Sequence, residues 1–481
     1  MNAPFIWILL PGVVSGLLYF LRRWQRSMQT AGILVSLSLA WLAWKVPIGE
    51  TIPISQFRFF PSLTLTDTFT VLGRRFIVDN STRPVLIFIY LGIALWFGGA
   101  FIARTDRLFV PLGLGIAALL TAALAVEPFL YAALLIELAV LVSIPMLSPP
   151  GKPVGRGVLR YLIFQTLGTP FILFTGWQLS VVQVNPSNPA MVLRISILLI
   201  LGFAFLAAIF PFHTWIPMLS EEAHPYAAAF VFFVLPGMIT LFGMEFLFRY
   251  SWLRSLPLVY PVLRFLGLIM VVTGGLWAAF QHHLGRIMGY AVIVEIGLSL
   301  LTLSLGFGAG TSLSANSPPL MLSLFFALLL PRGIALAIWA LALSILKARV
   351  EKLDFRSVFG LGRQLPVVMA TLILANFSIA GFPLLASFPV QIALFSALAE
   401  QSLPAILLSL LGIAGLMAGG LRSLAVLATG SSQEGWQICE SRAQLILLGG
   451  GWAMILLLGL LPQWFLPTLT RVAAVFGNPL P

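Results

Sequence analysis

Three charged residues stand inside otherwise apolar sequence: Glu137 in LYAALLIELAVL (130–141), Glu295 in GRIMGYAVIVEIG (285–297) and Arg332 in LLLPRGIAL (328–336). A charge at the centre of a membrane-crossing helix costs about 2.5–3.5 kcal/mol, so such a residue has a partner or a purpose. Two chemistries are open to a carboxylate there. It can exchange a proton with a neighbouring base, or it can tie helices together as a hydrogen-bonded or ion-paired group. Arg332 is a candidate for either, as a member of a proton path or as the partner of one of the two glutamates, although a guanidinium keeps its proton under ordinary conditions.

A fourth candidate, His213, lies in PFHTWIPMLSEEAHP (211–225), which holds two of the four histidines. Pro211, Pro217 and Pro225 interrupt helix there, so the stretch reads as a turn between two apolar runs. Trp215 fits the headgroup level, where indole rings concentrate. His213 either hydrogen-bonds a helix end or takes part in proton movement, and Glu221 and Glu222 read as a solvated loop. Zinc is disfavoured, since nothing fixes a ligand geometry for His213, His224 and those carboxylates. Glu245 and Arg249, one turn apart, read as a local ion pair. His282 and His283 fall at a loop end and read as interfacial.

The elements that hold these residues follow from composition. Sixty per cent of the 481 residues are apolar and 9% are charged, and the mean hydropathy is +1.03. A water-soluble domain of this length could not cover its surface with so little charge. The apolar residues fall instead into runs of about 17–25, the length of a bilayer-crossing helix. Continuous rather than alternating runs exclude barrel strands. The chain is therefore an all-α polytopic membrane protein with about fourteen spans: 4–21, 31–46, 84–103, 108–125, 128–147, 159–183, 191–211, 226–248, 258–280, 286–308, 319–346, 367–398, 403–428 and 443–466. The first is not expected to be a cleaved signal, because RRWQR follows its apolar run and MNAPF carries no basic residue.

Loops after odd-numbered spans carry most of the basic residues: Arg22, Arg23 and Arg26; Arg104 and Arg107; Lys152, Arg156 and Arg160; Lys347, Arg349, Lys352, Arg356 and Arg363. Loops after even spans carry few, apart from Arg74 and Arg75. The positive-inside tendency then puts both termini outside the cytoplasm. The net charge of +12 is mostly this topology signal, and no soluble basic domain exists to bind nucleic acid. Cys439 is the only cysteine, which excludes an internal disulfide framework. No phosphate-binding or dinucleotide-binding glycine pattern occurs. No haem, flavin or iron–sulfur ligation is provided, so neither a cofactor nor a metal is expected. A conventional enzyme, including one acting on lipid, has only the 211–225 hinge to offer.

PFHTWIP preceded by LGFAFLAAIF resembles the signature of the antiporter-like membrane subunits of respiratory complex I, which group with the large subunits of multi-subunit cation/proton antiporters. IVDNSTRPVLIFIYLG (77–92), LYAALLIELAVL (130–141), RYLIFQTLGTPFILF (160–174), GMITLFG (237–243), GRIMGYAVIVEIG (285–297) and FSIAGFPLLASFP (377–389) resemble further family segments in the same order. The resemblance implies two inverted five-helix repeats, 107–250 and 257–428, flanked by helices one to three (1–106) and by a C-terminal helix fourteen and tail (429–481), with helices seven and twelve broken. Gly381, Phe382, Pro383 and Pro389 support the second break independently. Broken helices are tolerated where the freed backbone lines a polar cavity or packs on protein.

In such subunits a proton path runs at mid-membrane through a helix-five glutamate and a series of lysines. The glutamate corresponds to Glu137. The lysine positions correspond to Leu206, Met238, Gly285 and, for the ionisable residue of helix twelve, Gln391. Arg332 aligns loosely with the helix-eleven lysine, and Glu295 holds a position where relatives often carry histidine. The chain's four lysines, Lys45, Lys152, Lys347 and Lys352, all lie at span ends or in loops. A buried lysine exchanges its proton because desolvation lowers its pKa, and here that device is missing. The resemblance thus implies a membrane-arm subunit of a complex I-like NAD(P)H or ferredoxin:quinone oxidoreductase. It would take part in proton translocation or, with the lysines lost, serve mainly in structure and coupling. Its partners would be other membrane-arm subunits and lipids, in a bacterial inner or thylakoid membrane. The alternative is an ion-translocating subunit of a multi-subunit cation/proton antiporter.

Overall fold

A computed structural model describes residues 2–49, 51–52, 63–71, 73–151, 153–182, 189–306, 320–429 and 436–477. Lys152, span-end residues 183, 307–308 and 319, and parts of the C-terminal segment (430–435 and 478–481) lie outside them. The chain divides into two compact units, one of residues 1–101, 105–153 and 162–203, the other of 102–104, 154–161 and 204–481.

In the first unit a short π-helical turn leads into α1 (Leu10–Phe20), followed by α2 (Gln25–Lys45). The link to α3 (Arg83–Ala100) carries strands β1 (Thr51–Ile52), β2 (Leu63–Thr64), β3 (Thr68–Val71) and β4 (Arg74–Ile77). These strands were not expected. β3 and β4 form an antiparallel hairpin with Phe69 opposite Phe76. After α4 (Phe109–Ala125), strand β5 (Val126–Glu127) joins that hairpin and sets Glu127 opposite Arg75. Opposite charges at facing positions stabilise such a pair. Arg74 lies over the Tyr131 ring at 3.8 Å, so both arginines that broke the topology pattern serve this small sheet. The unit continues with α5 (Ala132–Leu147) and most of α6 (Arg156–Val182) and α7 (Pro189–Leu206).

The second unit contains α8 (Trp215–Glu222), α9 (Pro225–Arg249), the short α10 (Ser251–Ser255), α11 (Val259–Phe280), α12 (Leu284–Ser304) and α13 (Leu320–Lys347). It ends with α14 (Pro366–Ile379), α15 (Phe388–Ala399), α16 (Leu403–Ala428), α17 (Arg442–Leu460) and α18 (Leu466–Gly477). Proline opens α9, α14, α15 and α16, where its missing N–H costs nothing. Ser441 and Gln444 close a capping box at the start of α17. α18 was expected as part of a tail and is instead a helix packed on α13.

Twelve helices among the described residues are long and apolar enough to cross a membrane. The fourth expected span is the 17-residue α4, and the twelfth is divided into α14 and α15. The division lies at 380–387, where Gly381 has φ +71° and Leu384 φ +70°. α12 and α13 form the centre of the second unit, being 94% and 89% buried over their most apolar stretches. Around them the helices approach closely. A Cβ on Gly275 of α11 would overlap the Gly412 carbonyl of α16, and one on Gly412 would overlap Val271. Small residues at such a crossing let backbones touch, which is how helices associate without a hydrophobic driving force.

Gly275→Ala is expected to lower the stability of the protein in detergent by about 1–3 kcal/mol, the usual cost of overpacking. Thermal unfolding followed by tryptophan fluorescence measures it. An unchanged midpoint would show that α11 and α16 part without cost.

Candidate functional site

The centre of the second unit holds one buried ion pair. Glu295 on α12 and Arg332 on α13 are 5% and 4% exposed. Arg332 Nε lies 3.3 Å from Glu295 Oε2. Arg332 Nη2 donates to the Glu295 carbonyl oxygen and to Ser299 Oγ, both at 2.6 Å. Ser299 Oγ in turn donates to the Glu295 carbonyl at 2.9 Å. Local sequence explains the cluster: Glu295 and Ser299 are four apart and share one face of α12. The pair expected from sequence therefore forms with Glu295. It is neutral overall, and neither Arg332 nor Ser299 is a proton carrier.

Glu137, in the first unit, is half-buried. Thr166 Oγ1 donates to its Oε1 at 2.7 Å and Thr169 Oγ1 to its Oε2 at 3.1 Å. No cation pairs with it among the described residues. Leu134, Leu138 and Leu141, on the same helix, are 40–46% exposed, so this carboxylate belongs to an outward-facing apolar surface.

The 211–225 stretch departs from the expectation of a plain turn. α7 ends at Leu206, a turn at Ala208 (φ +53°) interrupts it, and a second helical piece, α8, follows. Trp215 is buried within the protein, with its ring 4.8 Å from Tyr161 and 6.0 Å from Phe232. Nor are Glu221 and Glu222 merely solvated. Arg286 of α12 meets Glu221 Oε2 at 2.6 Å. The Gly157 amide at the start of α6 donates to Glu222 Oε2 at 2.7 Å, and Lys347 Nζ donates to the Ala223 carbonyl at 3.0 Å. Two glutamates at a helix C-terminus oppose the helix dipole, and these contacts compensate. The two acidic residues ending a short apolar helix were the available signal; their partners, 65 residues away on either side, were not readable. His213 stacks on Phe210, with ring centroids 5.6 Å apart, and its Nδ1 is buried without a hydrogen-bond partner. No contact joins it to Glu295 or Arg332 among the described residues.

The positions expected to align with the family's lysines are occupied as follows. Leu206 is 1% exposed and Met238 7%, both packed apolar. Gly285 faces α8: a Cβ there would overlap the Ser220 carbonyl, so no side chain fits. Gln391 is 3% exposed, donates from Nε2 to the Ile379 carbonyl at 2.8 Å, and lies against Gly381 at the break between α14 and α15. His282 and His283 do sit at a loop end. His283 caps α12 by accepting from the Arg286 amide. Burial holds its imidazole below the ordinary value, against the opposing pull of Glu221 and Asp354. Glu245 and Arg249 pair at 3.2 Å.

A profile of the NADH:quinone oxidoreductase/Mrp antiporter transmembrane family matches residues 161–417. The chain belongs to this family. The matched stretch takes in His213, Glu295, Arg332, Leu206, Met238, Gly285 and Gln391, while Glu137 precedes it. Subunit N of the NADH-quinone oxidoreductase of Pelagibacter ubique is 26% identical over 256 residues, 51% of this chain and 52% of that one. The chain spans about half the length of the curated relatives it matches. In fold the likeness is nearly complete. A chain of the archaeal membrane-bound sulfane sulfur reductase superimposes with TM-score 0.81 at 17% identity, covering 99% of this chain and 98% of that one. A chain of Thermus thermophilus respiratory complex I does so with TM-score 0.75 at 20% identity, covering 98% of each. Family membership and fold together put a polytopic member of this family around the buried pair.

Two outcomes test the site. Arg332→Met alone is expected to destabilise the protein by about 3–5 kcal/mol, because Glu295 would be left charged and unpaired; combining it with Glu295→Leu recovers most of the loss. Thermal unfolding of both variants measures this, and equal loss in both would show that the ion pair is not what holds α12 to α13. Gly285→Lys, which places a lysine where the resemblance implies one, is expected to lower the unfolding midpoint and leave proton transport no higher than before, because α8 occupies the space. A gain in transport measured in proteoliposomes would contradict that packing argument.

Proposed function

We propose that this chain is an antiporter-like subunit of the membrane arm of a complex I-like quinone oxidoreductase, and that its part there is mainly structural and coupling. One observation carries the reading. The positions at which its relatives use lysine hold buried Leu206 and Met238, a sterically closed Gly285 and a neutral Gln391, while the remaining central cation, Arg332, is bound into a neutral pair. A series of sites that cannot change protonation cannot pass protons in the usual order. Of the proton-path candidates, Glu137, Glu295 and Arg332 then become ties between elements rather than relay stations, and His213 is left stacked on Phe210.

The half-exposed Glu137 supports assembly. A carboxylate on an outward apolar face is costly against lipid and favourable against a neighbouring subunit that offers a donor. The same reading includes the inverted repeats 107–250 and 257–428, both termini outside the cytoplasm, and a bacterial inner or thylakoid membrane. Supporting the orientation are the basic residues that follow odd-numbered spans. The family also contains Mrp antiporter subunits, and an antiporter reading would require a conducting path through Glu137.

Glu137→Gln decides between them. The expected effect on proton transport by the purified assembly is less than about threefold, under ~0.7 kcal/mol of barrier. Near-complete loss would return the chain to the conducting members of its family. Mass spectrometry of the tagged assembly in mild detergent reads the partners. Quinone-site and iron–sulfur subunits are expected, and small antiporter subunits without redox partners would favour the alternative.

A further inference from the structure

The turn joining α1 to α2 carries an unneutralised basic cluster in the first unit. Arg22, Arg23 and Arg26 are all exposed there, within five residues, and none forms an ion pair among the described residues. Two of the three guanidinium groups lie against aromatic rings instead. Arg22 Cζ lies 4.5 Å from the centroid of Tyr19, and Arg26 Cζ lies 5.8 Å from that of Phe101, just beyond α3. The turn is tied to the neighbouring 101–108 link by a Gln25 Nε2 bond to the Thr105 carbonyl, which brings a fourth arginine, Arg107, two residues along. The acid of that link, Asp106, is engaged by the Leu108 amide at 2.9 Å. Beside the cluster the surface is apolar and aromatic: Phe20 is 81% exposed and Trp24 70%.

Arginines held by aromatic contact keep every N–H free for another acceptor, and the planar fork of each matches phosphate oxygens. An exposed tryptophan and phenylalanine next to such a cluster occupy the depth at which headgroup gives way to acyl chain. The patch therefore offers positive charge on one side and an apolar seat on the other. A ligand that satisfies both is amphiphilic and anionic. We propose that the α1–α2 turn is a binding site for the phosphodiester headgroup of an anionic phospholipid, with Arg22, Arg23 and Arg26 on the phosphate and Phe20 and Trp24 against the chains. The site follows from the membrane fold alone and holds whichever assembly contains the protein.

The assembly containing the full-length chain is reconstituted in vesicles of equal phosphatidylcholine and phosphatidylglycerol, with a trace of photoreactive phosphatidylglycerol or, in parallel, photoreactive phosphatidylcholine. Labelled peptides are then mapped. Labelling of the 19–27 segment is expected from the phosphatidylglycerol probe and not from the phosphatidylcholine probe. Replacing the three arginines by glutamine is expected to reduce that preference on the order of 100-fold, while replacing them by lysine retains most of it. The lysine variant guards against loss by misfolding. Equal labelling by both probes, unchanged labelling of the glutamine variant, or equal loss in the lysine variant would overturn the proposal. So would complete displacement of the phosphatidylglycerol probe by excess inorganic phosphate, which would assign the site to the free anion.

Discussion

In hydrocarbon every backbone N–H and C=O must find a partner inside the protein, and the two helix breaks are where this constraint bears hardest. At the first, α7 stops at Leu206 and α8 begins at Trp215, so α8 has two ends to satisfy within eight residues. Its C-terminal end is met from three directions: Lys347 on the Ala223 carbonyl, Arg286 on Glu221 and the Gly157 amide on Glu222. Its flank is received by glycine, at Gly157, where a Cβ would come within 2.6 Å of the Leu219 amide, and at Gly285. At the second break Gln391 supplies a donor to the freed Ile379 carbonyl. The first break is thus kept by charged side chains and close backbone contact, the second by a neutral amide.

That arrangement bears on charge. A lysine in such a break owes its usefulness to being poorly solvated, so that its proton is loosely held. Gln391 makes the structural hydrogen bond without that property, and Gly285 gives its space to α8. What charge remains at the centre of the second unit is paired in place, with both Arg332 hydrogen bonds going to groups on α12. A buried pair of this kind contributes little net stability against an apolar alternative but makes loss of one partner expensive. It fixes the register of α12 against α13, the two most buried helices of the unit.

The basic residues divide by the company they keep. Arg286 and Lys347 are absorbed by α8, and Arg74 and Arg75 by the three-stranded sheet. Arg22 and Arg26 lie against aromatic rings, and neither they nor Arg23 form an ion pair among the described residues. The same residue type therefore serves packing in one place and a free surface charge in another.

The spans were legible because a bilayer imposes length and apolarity on each helix separately, and a run such as 403–428 meets both without reference to any other part of the chain. The break in the twelfth helix was legible for a similar reason, since Gly381 and Pro383 act on their own backbone. Missing lysines could be counted directly. By contrast, PFHTWIPMLSEEAHP read as a turn with a boundary tryptophan, because its prolines and charges are local signals while their partners are not. Only Tyr161, Phe232 and Arg286, brought beside it by the fold, make Trp215 a core residue and Glu221 half of an ion pair. The choice of Glu295 over Glu137 as partner of Arg332 was likewise decided in three dimensions. Sequence by itself determined which segments enter the membrane and which chemistry they lack, because those depend on residue type along one helix. Tertiary structure decided which polar groups meet, because that depends on distances between helices far apart in the chain.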